Sequence, residues 1–179
     1  MRRFLLGMVA GVVAVPTVIF VCGWFGLLST TANVAAPAWE IAFAHRALDA
    51  AAARRAPRLA NPVAPTEANL LAGVKLFKDG CAGCHGLPDA HISGDVNLYP
   101  DAPYFARHPP AEPDWQLYWF VKYGVRYSAM FAWDREWGKD STGRDLTDER
   151  IWTVVTLLKH LDSLLRAVDS EWHAKRHRS

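Results

Sequence analysis

The chain has 179 residues, which is enough for one modest domain with a single hydrophobic core and some additional segments. Its formal net charge of +2 is small, and no basic stripe is interleaved with aromatic residues. The composition therefore argues against a nucleic-acid partner.

The N-terminal segment, residues 1–30, is predicted to be a membrane anchor. Arg2 and Arg3 precede a run that carries no charge from residue 4 to residue 28. A helix needs about 20 apolar residues to cross a bilayer core of roughly 30 Å, whereas the apolar region of a signal peptide has at most about 15. We expect a retained transmembrane helix in the lipid bilayer. The positive-inside rule then predicts a single-pass protein of the bacterial inner membrane, with its main domain on the periplasmic side.

Residues 31–65 are predicted to be a periplasmic helical stalk followed by a linker. Residues 37–59 are rich in alanine, with scattered apolar residues among charged ones. The sequence "APRLANPVAPTEAN" is rich in proline, which is typical of a linker and places its end near Thr66.

Residues 66–168 are predicted to form an all-α domain with three main helices. Thr66 opens the first helix, whose apolar residues recur on one face as far as Phe77. Asp114 caps a short second helix, and Thr147 caps a long third helix with a buried stripe that extends to Leu165. No segment has a convincing β period. Residues 169–179 are predicted to be a polar, solvated tail.

The connection between the first two helices is unusually long. Residues 87–113 contain six prolines and show no sustained periodicity. A loop of this length inside a compact domain is uncommon unless it is functional or wraps something. A domain with so little regular structure has a small core, and a metal or a large cofactor could supply the missing stability.

The segment "CAGCHG", residues 81–86, contains two of the three cysteines and a histidine. A redox dithiol needs a strand-to-helix turn, zinc needs four ligands, and a disulfide across so short a loop would add little stability. The pattern C-x-x-C-H attaches c-type haem: both thiols add to the vinyl groups, and the histidine binds iron. We therefore predict one covalent haem c, attached at Cys81 and Cys84, with His85 as an iron ligand.

The second axial ligand is assigned to Met130. Met1 and Met8 belong to the N-terminal segment, so Met130 is the one methionine of the main domain. A thioether ligand raises the potential of haem iron relative to a second histidine and suits electron transfer. His108, in the Pro-rich loop, remains the serious alternative. The histidines judged less favourable are His45, His91, His160, His173 and His177.

Residues 66–162 resemble a membrane-anchored, single-haem class I cytochrome c. "GVKLFKDGCAGCHGLP" is similar to the first helix and haem-binding segment of that family, and "LYPDAPYF" to its Pro-rich loop at the haem edge. "WFVKYGVRYSAMFAWD" resembles its methionine-containing loop, commonly G-I-R-x-T-G-M-P-A-W, and "LTDERIWTVVTLLKHL" its closing helix. The resemblance implies the class I cytochrome c fold around a covalent haem. It gives Cys81, Cys84, His85 and Met130 the roles already predicted, and it places Trp152 near the first helix.

Two positions depart from that family pattern. Ala129 stands where the pattern has glycine, and Phe131 where it has proline. The proline helps to fix the backbone so that the sulfur faces iron. A looser iron–sulfur bond would lower the potential and open a site for small ligands.

These features predict an electron carrier rather than an enzyme, since no catalytic constellation accompanies the predicted haem. The role expected is that of a tethered shuttle, or of the electron-transfer subunit of a membrane respiratory or dehydrogenase complex. Asp134, Arg135 and Glu136 are candidates for docking a redox partner. The alternatives are a haem-based small-ligand sensor or peroxidase-like protein with an open sixth site, and a structural subunit with a vestigial haem.

Overall fold

The elements of regular structure in the described part of the chain are helices. The computed structural model describes residues 2–28, 30–89, 98–134, 138, 142 and 146–174. Its helices are α1 (Arg2–Trp24), α2 (Ala38–Arg55), α3 (Glu67–Gly80), α4 (Ala82–His85), α5 (Asp114–Tyr123), α6 (Thr147–Leu158) and α7 (Arg166–His173). A 3-10 turn, Leu161–Ser163, lies between α6 and α7. The chain divides into two compact units, Met1–Val34 and Ala35–Ser179.

Helix α1 belongs to the first unit and is shorter than the uncharged run on which the anchor prediction was based. The helix ends at Trp24, and the chain then turns at Gly26, whose φ is +69°. The helix contains Pro16. Within the described ranges, no helix has both the length and the apolar character that a membrane crossing requires. The predicted transmembrane helix is wrong, and so is the single-pass inner-membrane location inferred from it.

Helix α3 begins the second unit's core as the sequence predicts. The hydroxyl of Thr66 accepts a hydrogen bond from the backbone N–H of Asn69 at 3.3 Å, which satisfies one free donor of the first turn. The apolar face of the helix is buried, with Val74 and Phe77 almost inaccessible to solvent. Burial of these side chains removes apolar surface from water and fixes which face of α3 points inward.

Helix α6 crosses α3 at close range. It begins at Thr147, with Leu146 in the capping position, one residue before the predicted cap. A Cβ on Gly73 would lie 2.9 Å from the Cβ of Leu157 and 3.0 Å from the carbonyl oxygen of Thr153. Because such distances are shorter than real contacts, the absence of a side chain at Gly73 allows the two helices to touch.

The chain after α6 folds back onto α3. The sequence predicted one long helix, but α6 ends at Leu158, and Leu165 is 48% exposed because it no longer lies on that helix. Helix α7 returns Trp172 to the core, where its ring meets Phe77 edge-on at a centroid distance of 5.1 Å. The Nζ of Lys78 lies 2.9 Å from Oε1 of Glu171. Part of the segment predicted as a solvated tail is therefore a packed helix.

Helix α5 packs against α6 through a pair of stacked rings. Tyr118 and Trp152 lie 4.1 Å apart, centroid to centroid, at an interplanar angle of 11°. Trp152, which the family resemblance placed near the first helix of the domain, thus stacks on α5. Pro113 occupies the capping position of α5, and the carboxylate of Asp114 accepts a hydrogen bond from Asn61 at 3.0 Å.

Helix α2, predicted as a stalk, belongs to the second unit and packs against α5. The side-chain amide of Gln116 donates to Asp49 at 2.8 Å, and Ala52 is fully buried. Farther along, the guanidinium of Arg58 lies 4.6 Å from the ring centroid of Trp115. The residue ranges predicted for the stalk, the main domain and the tail stay predictions.

Candidate haem site

The cysteine turn, residues 81–86, continues α3 by one more helical turn. The backbone N–H of Cys81 donates to Phe77 at 2.8 Å and so ends α3. The N–H of His85 then donates to the carbonyl of Cys81 at 2.9 Å, which forms α4. The thiols of Cys81 and Cys84 are both free, the first half-buried and the second exposed. The backbone thus brings two thiols and an imidazole onto a single turn.

The imidazole of His85 is oriented by the Pro-rich loop. Its Nδ1 lies 2.8 Å from the carbonyl oxygen of Pro103. A carbonyl can only accept, so Nδ1 carries the ring proton and Nε2 keeps a lone pair for a metal. Burial lowers the pKa of His85, and the hydrogen bond to Pro103 opposes this with a smaller effect. The ring is therefore held neutral, which is the form that ligates iron.

Two aromatic residues of the Pro-rich loop contact the imidazole and the residues that follow the cysteine turn. The ring of Phe105 stacks on His85 at a centroid distance of 4.6 Å and an angle of 19°. The hydroxyl of Tyr104 donates to the carbonyls of residues 87 and 88, at 3.0 and 2.8 Å. These contacts attach residues 103–105 to His85 and to the two residues that follow the cysteine turn, so the loop and the C-terminal end of the turn position each other.

The two thiols differ in their environment. Burial raises the pKa of the Cys81 thiol to about 12, and the nearby Cys84 adds to the rise. Cys81 is therefore protonated at neutral pH, while Cys84 lies at the surface. Two thiols at this spacing with a neutral imidazole form a donor set that fits a c-type haem.

Met130 lies in the methionine loop, residues 124–133, whose backbone is tightly packed. The N–H of Val125 donates to the carbonyl of Met130 at 2.9 Å. Gly124 has a φ of +67°, and a Cβ on it would lie 2.7 Å from both the Met130 oxygen and the carbonyl carbon of Phe131. Only glycine satisfies both the left-handed backbone and this close approach.

The side chain of Met130 is half-buried and packs against the apolar cluster between α5 and α6. That cluster contains Leu117, Tyr118, Val121, Trp133, Ile151, Trp152 and Val155. Trp133 also contacts Gly80, the residue before the cysteine turn. A Cβ on Gly80 would lie 2.7 Å from Cη2 of the Trp133 indole. The methionine loop and the cysteine turn therefore meet through Trp133.

The competing histidines have other surroundings. His108 is exposed, and its N–H donates to Tyr104 at 3.0 Å, on the loop that binds Nδ1 of His85. His160 and His173 each bond through Nδ1 to a carbonyl of their own helical segment, at 2.8 and 3.0 Å, and His45 is exposed on α2. His91 and His177 lie outside the described residues, as do Arg135 and Glu136 of the predicted docking group.

The helical fold and the cysteine turn fit a class I c-type cytochrome, a domain that binds haem and transfers electrons, and a family model shows this class. Residues 68–158 match the family model described as cytochrome C oxidase, cbb3-type, subunit III, and the chain belongs to this family. A comparison with curated proteins and one with solved structures gave no match. The predicted class of protein is thereby confirmed. Membership in this family implies redox partner proteins, because an electron carrier needs an electron donor and an electron acceptor.

Sequence reasoning found the candidate ligands but missed the groups that position them. The carbonyl of Pro103, the ring of Phe105 and the indole of Trp133 were not assigned a role, although all three lie in the quoted family segments. The proline content of the loop indicated that it was constrained. Which carbonyl faces His85 depends on how the loop folds, and composition does not encode that.

Proposed function

We propose that the chain carries single electrons through one haem c, attached covalently by Cys81 and Cys84 and ligated by His85 and Met130. The observation that supports this most strongly is the 2.8 Å hydrogen bond from Nδ1 of His85 to Pro103, which leaves Nε2 available beside two thiols. The haem, when bound, supplies an iron that alternates between the ferric and ferrous states.

The protein's own contribution is to orient the ligands and exclude water. Phe77 is 1% exposed and Trp133 is 9% exposed, and both border the cysteine turn. Apolar surroundings disfavour the more highly charged ferric state, and a thioether ligand acts in the same direction. We expect a potential higher than that of a bis-histidine haem.

Met130 is favoured over His108 as the second ligand because of where each segment lies. The carbonyl of Pro103 bonds to Nδ1 of His85, and His108 is tied to the same loop through its bond to Tyr104, whereas Nε2 is the nitrogen that would hold iron. The second ligand would therefore have to come from a segment other than the one that holds Nδ1 of His85. The methionine loop instead contacts Gly80 through Trp133, independently of the Pro-rich loop.

The partner is proposed to be another protein of an oxidoreductase complex, as the family's description suggests. Large side chains around Met130 are solvent-exposed, namely Tyr123 at 53%, Tyr127 at 91% and Phe131 at 54%. Aromatic residues of this kind are enriched at protein interfaces. They supply contact area close to the proposed ligand, while charges such as Asp134 would guide the approach of the partner.

The test is optical absorption of the purified, haem-loaded protein, oxidised and reduced, with and without carbon monoxide. The wild type is expected to show a thioether-to-iron charge-transfer band and to bind no carbon monoxide. Met130→Ala should lose the band, and His108→Ala should keep it.

Carbon monoxide binding by the wild type would contradict the proposal and favour a sensor or peroxidase-like protein with an open sixth site. Loss of the wild-type spectrum in His108→Ala, with Met130→Ala unchanged, would transfer the ligand role to His108.

A further inference from the structure

The hydroxyl of Ser128 joins the two ends of the segment that carries Met130. Its Oγ donates to the carbonyl of Val125 at 2.7 Å and accepts a hydrogen bond from the backbone N–H of Met130 at 3.1 Å. The carbonyl of Met130 in turn accepts from the N–H of Val125 at 2.9 Å. Both backbone polar groups of Met130 are therefore bonded within the methionine loop, one of them to Ser128.

The residue after Met130 is not a proline, so it does not itself restrict the backbone of Met130. A proline at that position would restrict the backbone of the preceding residue to extended conformations. Phe131 imposes no such limit, and its ring packs 4.8 Å from that of Trp133 instead. The hydrogen bond from Met130 to Ser128 restricts the same backbone by a different means.

The opposite side of Met130 is also constrained. Its carbonyl would lie 2.7 Å from a Cβ on Gly124, so the two backbones are in direct contact. After the loop, the N–H of Trp133 donates to Val121 of α5 at 3.2 Å. Gly124 and Trp133 thus hold the two ends of the methionine loop on α5, and Ser128 fixes the backbone between them.

We propose that Ser128 is a positioning residue for Met130, and that its hydroxyl keeps the Met130 thioether directed at haem iron. This proposal rests on the proposed function, because it takes Met130 as the second ligand. Loss of the hydroxyl removes two hydrogen bonds, one donated and one accepted. The methionine-bound form should then become less favoured relative to an open sixth site.

The experiment compares Ser128→Val and Ser128→Thr in the haem-loaded full chain. Valine and threonine have nearly the same shape, so the pair isolates the hydroxyl. A neutral hydrogen bond shifts an equilibrium by about fivefold, so S128V should bind carbon monoxide at least about fivefold more tightly in the reduced state than S128T. The thioether-to-iron band, expressed per bound haem, should fall in S128V and be retained in S128T.

Ser170→Ala is the matched control, since it removes one exposed serine hydroxyl bonded at 2.9 Å to Arg166 in α7. Its spectrum should equal that of the wild type. Equal bands and equal carbon monoxide affinities in S128V and S128T would overturn the role of Ser128. Met130→Ala separates the two proposals. If this variant keeps the thioether-to-iron band, the assignment of Met130 as a ligand fails. If it loses the band while S128V keeps it, only the positioning role of Ser128 is refuted.

Discussion

The cysteine turn and the methionine loop place their side chains by different physical means. In the turn, Cys81, Cys84 and His85 lie within one helical turn of backbone, where the 2.9 Å bond from His85 N–H to Cys81 sets the spacing. In the loop, the position of Met130 depends on its contact with Gly124 and on packing by Trp133. A short helical motif can therefore be read from residue spacing, while a loop ligand depends on partners that spacing does not reveal.

The largest effect is expected from removal of the two thiols in the cysteine turn. The double variant Cys81→Ala, Cys84→Ala should lose all covalent haem, because no thiol remains in the turn to form a thioether. Haem staining on a denaturing gel measures this directly. Cys22→Ala is the control and should stain like the wild type. Haem staining of the double variant at wild-type intensity would show that the turn is not the attachment site.

A smaller effect, confined to the loop, is expected from Gly124→Ala. The left-handed backbone and the clash with the Met130 carbonyl should together lower the free energy of unfolding by about 2–4 kcal/mol. Haem should stay covalently attached while the methionine band is lost, which would separate the loop from the turn. Thermal denaturation and the absorption spectrum report the two quantities.

Gly138→Ala is the matched control for that prediction. Gly138 also has a positive φ, +61°, but a Cβ on it would meet nothing within 4 Å. This variant has the backbone strain without the clash, so we expect a loss of only about 1 kcal/mol. An equal decrease in the free energy of unfolding in the two variants would show that the close approach of Gly124 to Met130 does not affect stability.

The smallest of the three effects is expected from Trp133→Leu, which acts on the contact between the two regions. Replacing the buried indole leaves a cavity against Gly80 and should cost about 2 kcal/mol in free energy of unfolding. The methionine band should weaken while haem attachment is retained. Trp39→Leu, at a position that is 71% exposed on α2, should change stability by less than about 0.5 kcal/mol. A band unaffected in Trp133→Leu would mean that the loop holds Met130 without this contact.

The sequence predicted the structure correctly where it depends on neighbouring residues, and wrongly where it depends on contacts between distant segments. The first helix of the domain, with its Thr66 cap and its buried face, was predicted correctly because its pattern is periodic and its cap is adjacent. The extent of the last helix was predicted wrongly, since α6 ends at Leu158 and the chain folds back to bury Trp172. The anchor prediction was wrong, since no helix among the described residues is long and apolar enough to cross a membrane.

The amino-acid sequence by itself determined the all-α class, the family, and the grouping of two thiols with an imidazole, because these depend on residue type and short spacing. Only the tertiary structure decided that Pro103 fixes the tautomer of His85, that Trp133 contacts Gly80, and that Ser128 binds the backbone of Met130. The first and second of these contacts join segments far apart in the chain. The third is local, but it lies in a loop whose far end is bonded to α5 by the N–H of Trp133. The physical reason is that hydrogen bonds and close packing depend on three-dimensional approach, which residue order specifies only through the whole fold.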